Sequence, residues 1–191
     1  MLIRAFIAIE LSAMIHSELG QLVGLLRKSG LNGIRWVNPS NIHLTLRFLG
    51  DTLPESLQQV SVALSAATRR IAPFEIQVRG VGAFPNFNRP RVVWAGVQAP
   101  PELINLQQSI ETMARKTGFP AEERPFSPHL TLGRVQRAIS PADLARLSQG
   151  LASLSVGLLG NMLVSRYVLF QSDLKPSGAV YTRLACFDLT G

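Results

Sequence analysis

Alternation of polar and apolar residues is the main signal along this chain, and it is sharpest in two tetrapeptides of identical sequence. His43-Leu44-Thr45-Leu46 and His129-Leu130-Thr131-Leu132 each alternate with the period of two that is typical of a half-buried strand. The leucines of each copy are expected to face a core, and the His and Thr side chains the opposite side. We therefore predict two strands that each present a His and a Thr on one face.

The remaining apolar patterns predict helices and further strands around these two. Ser12 and Ser140 are typical helix caps, and Pro54 and Pro101 suit the first turn of a helix. The predicted helices cover residues 12–28, 54–70, 100–117 and 140–149. The first His strand is predicted over residues 42–49, and the other predicted strands cover residues 3–9, 34–37, 74–81, 91–97, 163–171 and 179–189. Residues 150–162 show no clear pattern.

The order of these elements indicates an α+β fold. Each half of the sequence carries one His strand, helices and an antiparallel hairpin, so we expect two related, pseudo-symmetric lobes within a single domain of residues 1–191. If an approximate two-fold axis relates the lobes, both polar strand faces look into one cleft between them. The connection at residues 82–90 carries aromatic and Arg residues that suit either a packed turn or contact with RNA.

Composition limits the class of protein. Of the 191 residues, 47% are hydrophobic and 16% are charged, which excludes a disordered chain. The net charge of +7 favours anionic partners, and only three of the 19 basic residues are Lys, which leaves Arg, whose planar guanidinium suits phosphate. Cys186 is the only cysteine, and no apolar stretch has the length of a membrane span, so we expect a cytoplasmic protein without a membrane partner.

Two of the three histidines open the repeated tetrapeptides, and this use of His indicates acid-base chemistry. Residues two apart on a strand are separated by roughly 6.6 Å, so a His and the following Thr can contact different oxygens of one phosphate. One His can accept a proton from an attacking oxygen while the other donates a proton to the leaving oxygen. His43 and His129 are therefore candidate catalytic residues, and Thr45 and Thr131 are candidate phosphate ligands.

Three further residues near these strands are candidates for contact with a base or with RNA. Strand alternation puts Arg47 on the His43 face, where its charge would add to a phosphate site, although an ordinary solvent-exposed Arg fits as well. Phe48 and Arg134 each lie five residues after their His, so strict alternation puts them on the opposite face. They reach the cleft only if the strand ends or twists there, and they could then sandwich a base. His16 lies within a helix and is expected to be a surface residue.

Metal and cofactor chemistry is not expected from this pattern. A catalytic zinc usually takes three protein ligands, and no acidic residue or Cys cluster recurs beside the two histidines. We therefore predict no metal site and no cofactor.

Segments from end to end of the chain resemble one family of phosphoesterases. The two motifs stand in Asn41-Ile42-His43-Leu44-Thr45-Leu46-Arg47-Phe48-Leu49-Gly50 and in Phe126-Ser127-Pro128-His129-Leu130-Thr131-Leu132-Gly133-Arg134-Val135. The other matching segments are Arg4–Glu10, Arg35–Val37, Arg89–Gly96 and Ser172–Pro176 with Gly178 and Tyr181. Together they resemble the 2H phosphoesterases, and within them the RNA 2′,3′-cyclic phosphodiesterase branch, also called 2′-5′ RNA ligase. Residues 150–162 match this pattern less well.

The resemblance implies a bilobal fold with both histidines in a central cleft. It also implies metal-free opening of an RNA 2′,3′-cyclic phosphate, which leaves a 2′-phosphate and a free 3′-OH. By this similarity His43 would protonate the departing 3′ oxygen, His129 would activate water, and Thr45 and Thr131 would hold the phosphate. Phe48 and Arg134 match positions that flank the terminal base in such proteins.

Three functions remain open at this point. The first is hydrolysis of RNA 2′,3′-cyclic phosphate ends by a monomer, with or without weak reverse 2′-5′ ligation of tRNA fragments. The second keeps the chemistry and changes the substrate to a small cyclic phosphate, such as an ADP-ribose cyclic phosphate. The third is a non-catalytic module that binds nucleotides or RNA on the same fold.

Overall fold

A computed structural model describes residues 1–67, 70–176 and 178–191. The helices are α1 Ala13–Lys28, α2 Pro54–Ala67, α3 Pro101–Lys116 and α4 Pro141–Ala152. The strands are β1 Ile3–Glu10, β2 Ile34–Trp36, β3 His43–Thr52, β4 Phe74–Phe84, β5 Val92–Gln98, β6 His129–Val135, β7 Leu158–Val164, β8 Arg166–Lys175 and β9 Gly178–Asp188. Thr68 and Arg69 of the second predicted helix, and Ser177 between the last two predicted strands, lie outside the described residues.

Local sequence signals account for most element boundaries. The Ser12 hydroxyl accepts a hydrogen bond from the Ile15 N–H at 3.3 Å and caps α1, and the Ser140 hydroxyl caps α4 by accepting from the Asp143 N–H at 3.1 Å. Pro101 begins α3 as predicted. The strand predicted over residues 163–171 is two strands in the structure, β7 and β8. Most of β7 was not predicted, because among the described strands it is an edge strand that pairs only with β4, and it exposes both Leu158 and Leu163, so its residues do not alternate.

The described strands form one antiparallel sheet whose order explains the two lobes. The order is β7-β4-β5-β6-β3-β1-β8-β9. The short strand β2 also pairs with β6, at residues 133–135, beyond the part of β6 that pairs with β3. We call β3, β1, β8 and β9 the His43 lobe, and β6, β5, β4 and β7 the His129 lobe. The lobes meet where β3 pairs with β6, and the prediction of an α+β fold with an antiparallel sheet in each lobe is confirmed.

The chain connects the two lobes differently from the expectation that each half of the sequence forms one lobe. The hairpin β4–β5 follows the His43 strand in sequence but joins β6 in the His129 lobe, and the hairpin β8–β9 joins β1 in the His43 lobe. Two of the helices cross in the same way, because α1 contacts β7 and α3 contacts β3. The two lobes are therefore interleaved.

The helices cover one face of the sheet, and the other face is open. Leu44, Leu46, Leu130 and Leu132 are buried in the main core with helical residues such as Leu106, as the alternation predicted. The opposite face of the His43 lobe carries a smaller buried cluster of Phe6, Ala8, Val168 and Phe170, with Tyr181 packed against it. This open face, shared by both lobes, is the cleft that the polar residues of β3 and β6 line.

Candidate active site

The two His strands meet at the centre of the sheet. Leu44 of β3 pairs with Leu130 of β6 in antiparallel register, and this alignment puts His43 opposite Thr131 and Thr45 opposite His129. The two histidines are then diagonal neighbours, for which the separation across an antiparallel pair is roughly 7–8 Å. The expectation that one cleft brings the two motifs together thus agrees with the strand pairing.

The ring of His43 is fixed by the backbone and by aromatic neighbours. Its Nδ1 lies 2.9 Å from the Asn41 carbonyl oxygen, which can only accept, so Nδ1 carries a proton and Nε2 is left for the cleft. The Phe6 ring stacks on the imidazole at 4.7 Å, and the Tyr181 ring meets it edge-on at 5.2 Å. Burial lowers the pKa of His43 below its usual value, and the hydrogen bond to Asn41 opposes part of that effect.

His129 is held in the same manner from the other lobe. Its Nδ1 lies 2.7 Å from the Ser127 carbonyl oxygen, two residues before it, just as Asn41 precedes His43 by two. The Phe84 ring meets the imidazole edge-on at 4.9 Å, and the Trp94 ring lies 6.4 Å away. Both histidines therefore offer Nε2 to the cleft from equivalent positions.

Thr45 and Thr131 occupy the cleft face beside the histidines. Thr45 pairs with Ala8, which belongs to the cleft cluster, and Thr131 pairs with Trp94. Both threonines are half-buried, and within the described part of the chain neither side chain forms a hydrogen bond. Their hydroxyl groups can therefore donate to a small anion held between the histidines.

A β-bulge corrects the prediction for Arg47. The register passes from Ala8–Thr45 to Ile7–Arg47, so Leu46 is an extra residue and the faces of Arg47 and Phe48 are inverted, up to a second register shift at Leu49. Arg47 consequently points to the core side, is only 6% exposed, and forms ion pairs with Glu111 of α3 and Glu122. It is not a contact of the cleft.

The same bulge brings Phe48 to the cleft. Phe48 pairs with Phe6, is 55% exposed, and its ring lies 6.1 Å from that of Phe6. An exposed aromatic ring beside the histidine cluster is suited to stack on a base. Strict alternation puts Phe48 on the face opposite His43, and the extra residue Leu46 moves it to the His43 face.

An equivalent bulge at Leu132 turns Arg134 to the cleft. The register passes from Trp94–Thr131 to Val93–Gly133, and Arg134 is exposed on the Thr131 face. Gly133 takes the position equivalent to Arg47, where a Cβ would lie 2.5 Å from the Ile34 side chain. Because β3 and β6 are antiparallel, Phe48 and Arg134 lie towards opposite ends of the strand pair.

Four aromatic residues around the histidines were not identified as site residues from the sequence. Phe6 and Tyr181 surround His43, and Phe84 and Trp94 surround His129. The strand pattern makes each of them an ordinary buried or half-buried residue, and only the pairing of β1, β4, β5 and β9 across the sheet brings them to the site. Phe84 lies at the end of β4, and its ring packs against that of Trp94. Of the two interpretations of segment 82–90, a packed turn or contact with RNA, the packed one therefore applies to this residue.

The described residues bring no three His, Cys, Asp or Glu side chains together in a group that could bind a metal ion. Among the same residues, no helix combines the length and the apolar composition that crossing a membrane requires.

Comparison with known proteins gives a consistent result along the whole chain. The family model described as LigT like Phosphoesterase matches twice, over residues 9–94 and 96–181. The RNA 2′,3′-cyclic phosphodiesterase of Archaeoglobus fulgidus is 38% identical over 186 residues, or 97% of this chain and 99% of that protein. That of Methanothermobacter thermautotrophicus is 35% identical over 189 residues, or 99% of this chain and 100% of that protein. The crystal structure of E. coli LigT complexed with 3′-AMP has a TM-score of 0.80 at 27% identity, with 100% of both chains covered.

Two lobes around a repeated His-x-Thr strand define a phosphoesterase of the two-histidine, or 2H, class. The chain belongs to the LigT-like phosphoesterase family, and it is an enzyme of that class. The two matches of the family model, each of which contains one His strand, account for the pseudo-symmetry of the site.

Proposed function

We propose that this enzyme hydrolyses the 2′,3′-cyclic phosphate at RNA ends to a 2′-phosphate, with His43 and His129 as acid and base. The observation that carries the proposal is the duplicated arrangement of the site: each His is held through Nδ1 by the carbonyl two residues before it, and each has a Thr hydroxyl beside it. The relatives named RNA 2′,3′-cyclic phosphodiesterase cover nearly the whole chain and support the same reaction and the same substrate.

The reaction is an in-line displacement at phosphorus. His129 Nε2 accepts a proton from water as the water oxygen forms its bond to phosphorus. The P–O3′ bond breaks, and the proton on His43 Nε2 passes to O3′, which becomes the free 3′-OH. The phosphate stays on O2′, and a proton exchange with solvent restores both histidines. The diagonal placement of the histidines suits attack and departure on opposite sides of one phosphorus.

The threonines and the cleft residues complete the proposed assignment. Thr45 and Thr131 donate hydrogen bonds to the non-bridging oxygens, where negative charge increases in the transition state. Phe48 stacks on the terminal base, and Arg134 contacts the RNA at the other end of the strand pair. A bound phosphate anion also favours the imidazolium form of His43 and so offsets the effect of burial on its pKa.

Attack by a different nucleophile extends the proposal to ligation. When a 5′-OH takes the place of water, the same groups form a 2′-5′ bond, and fragments of tRNA with a cyclic phosphate and a 5′-OH are suitable reactants. Every residue of the proposed site comes from one chain, so a monomer suffices. We assign the activity to the cytoplasm, where the exposed thiol of Cys186 stays reduced.

The pH dependence of kcat/KM tests the acid-base pair. We expect a bell-shaped profile in EDTA, because the active form needs a protonated His43 and a neutral His129. Burial depresses the pKa of His43 in the free enzyme, so the limb that reports His43 lies below pH 6.5. Tyr181→Ala exposes the His43 ring, so its pKa rises towards the ordinary value and the limb that reports His43 moves to higher pH. NMR titration of the His43 ring measures the same shift directly. A profile with a single limb, or a limb that Tyr181→Ala leaves in place, would contradict the assignment of His43.

A further inference from the structure

A polar cavity lies beside His43, on the side away from Thr45 and Phe48. Its volume is about 680 Å³, within the range of sites for small organic ligands. It is lined by residues of the β1 end, α1, the segment that precedes β3, and β9. The lining residues that bear on the argument are Glu10, His16, Asn38, Ser40, Tyr181 and Arg183.

The lining of this cavity suits a neutral, polar group. The Glu10 carboxylate and the Arg183 guanidinium form an ion pair at 2.8 Å, so their charges balance. His16, which was expected to be a plain surface residue, is half-buried, and its Nδ1 lies 2.7 Å from the Pro39 carbonyl oxygen, which leaves Nε2 as an acceptor. The Ser40 hydroxyl donates to Asn38 Oδ1 and can still accept. Donors and acceptors of this kind match the edges of a nucleobase or a ribose better than they match an anion.

Two arginines lie on the cleft face of the neighbouring strands β2 and β6. Arg35 of β2 pairs directly with Arg134 of β6, so both side chains leave the sheet on the cleft face, and both are exposed. Among the described residues, no carboxylate forms an ion pair with either arginine. The two positive charges therefore repel each other without compensation, which is unfavourable for residues directly opposite in a sheet. An anion between the two guanidinium groups would remove that repulsion.

The arginine pair and the cavity are connected by neighbouring residues. The strand β2 leads directly into segment 38–41, which lines the cavity, and the Val37 N–H donates to the Leu132 carbonyl at 2.8 Å to fix this path. Tyr181 lines the cavity, and the charge of Arg134 lowers the pKa of its phenol against the stronger opposing effect of burial. Beyond His43, the arginine pair therefore offers a site for an anion, and the cavity next to it offers a site for a neutral polar group.

The covalent structure of the substrate sets the direction in which it leaves the active site. In a ribose 2′,3′-cyclic phosphate, C3′ leads through C4′ and C5′ to the preceding nucleotide, whereas C2′ leads to C1′ and the base. In the proposed reaction O3′ lies beside His43. The C5′ side of the sugar then extends past His43, and the base extends towards Phe48.

We propose that the cleft continues past His43 as a subsite for the nucleotide that precedes the cyclic phosphate. The phosphodiester of that nucleotide binds between Arg35 and Arg134, and its nucleoside occupies the cavity lined by Asn38, Ser40 and His16. This inference rests on the proposed function, because it uses the position of O3′ beside His43. It makes RNA, rather than a small cyclic phosphate, the preferred substrate class.

The experiment compares kcat/KM for cytidine 2′,3′-cyclic phosphate with kcat/KM for the dinucleotide CpC that ends in a 2′,3′-cyclic phosphate. We expect the dinucleotide to be preferred, and Arg35→Gln to reduce the ratio of the two values about tenfold, because one phosphate contact is lost. Ser40→Trp fills the cavity and should reduce the same ratio. Arg27→Gln, an exposed arginine near the end of α1, is the matched control and should change neither value.

Each outcome of this comparison decides a different point. Equal kcat/KM for the two substrates, or an equal loss on both with Arg35→Gln, would overturn the subsite. Turnover of neither substrate would overturn the proposed function instead. In that case the binding of 2′-CMP and of CpC with a terminal 2′-phosphate decides the subsite, because only a subsite makes the dinucleotide bind more tightly and with a steeper salt dependence.

Discussion

Replacing either His43 or His129 by alanine is expected to lower kcat/KM for an RNA 2′,3′-cyclic phosphate by about 10²- to 10⁴-fold, the usual contribution of a general acid or base. Each histidine supplies one of the two proton transfers, so neither can replace the other. Both side chains lie on the cleft face rather than in the main core, and each variant should stay folded. Steady-state kinetics with matched thermal unfolding curves measures both effects.

The asparagine variants separate the chemistry from the hydrogen bond that orients each ring. In His43→Asn the side-chain amide can still donate to the Asn41 carbonyl, and in His129→Asn to the Ser127 carbonyl, but neither variant has a group in the position of Nε2. We expect the asparagine variants to be as inactive as the alanine variants. Substantial activity in an asparagine variant, or unfolding of all four proteins, would make the histidines structural residues instead.

Arg47→Met should destabilise the protein by about 3 kcal/mol, because removing one partner of a buried ion pair leaves the other unpaired. Arg47 Nε lies 2.9 Å from Glu111 Oε2, with the N–H not directed at that oxygen, and Arg47 Nη1 donates to Glu122 Oε2 at 3.0 Å. The other terminal nitrogen donates to the Pro120 carbonyl. These contacts fasten the segment after α3, which leads to His129, against β3.

Urea denaturation measures this loss, and Arg166→Met is the matched control. Arg166 forms an ion pair with Asp188 at 3.5 Å, but both side chains are largely exposed, so its replacement should cost about 1 kcal/mol or less. If Arg47→Met were as stable as the control and lost affinity for the substrate, Arg47 would be a contact of the cleft after all.

Alternation was sufficient to predict the centre of the site from sequence. A period of two over four residues fixes which face each side chain takes, and Leu44 and Leu130 are indeed buried while His43 and His129 border the cleft. The repetition of the motif predicted two equivalent lobes for the same reason. Serine caps and prolines in first turns are local signals, and they located the helix starts.

Two features depended on contacts that are distant in sequence and could not be predicted. The bulges at Leu46 and Leu132 carry ordinary leucines, so nothing in the pattern marks the point where the face inverts, and Arg47 and Phe48 were assigned to the wrong faces by strict alternation. The exchange of hairpins between the lobes is equally hidden, because element order does not determine which strand pairs with which.

The position of the phosphate in the product tests the central claim most directly. An oligoribonucleotide with a terminal 2′,3′-cyclic phosphate is incubated with the enzyme in EDTA, and the product is treated with a phosphatase specific for 3′-phosphates. With His43 protonating O3′ and His129 activating water, we expect turnover without added metal and a 2′-phosphate that resists the phosphatase. A 3′-phosphate, or turnover only after a divalent metal is restored, would contradict this mechanism.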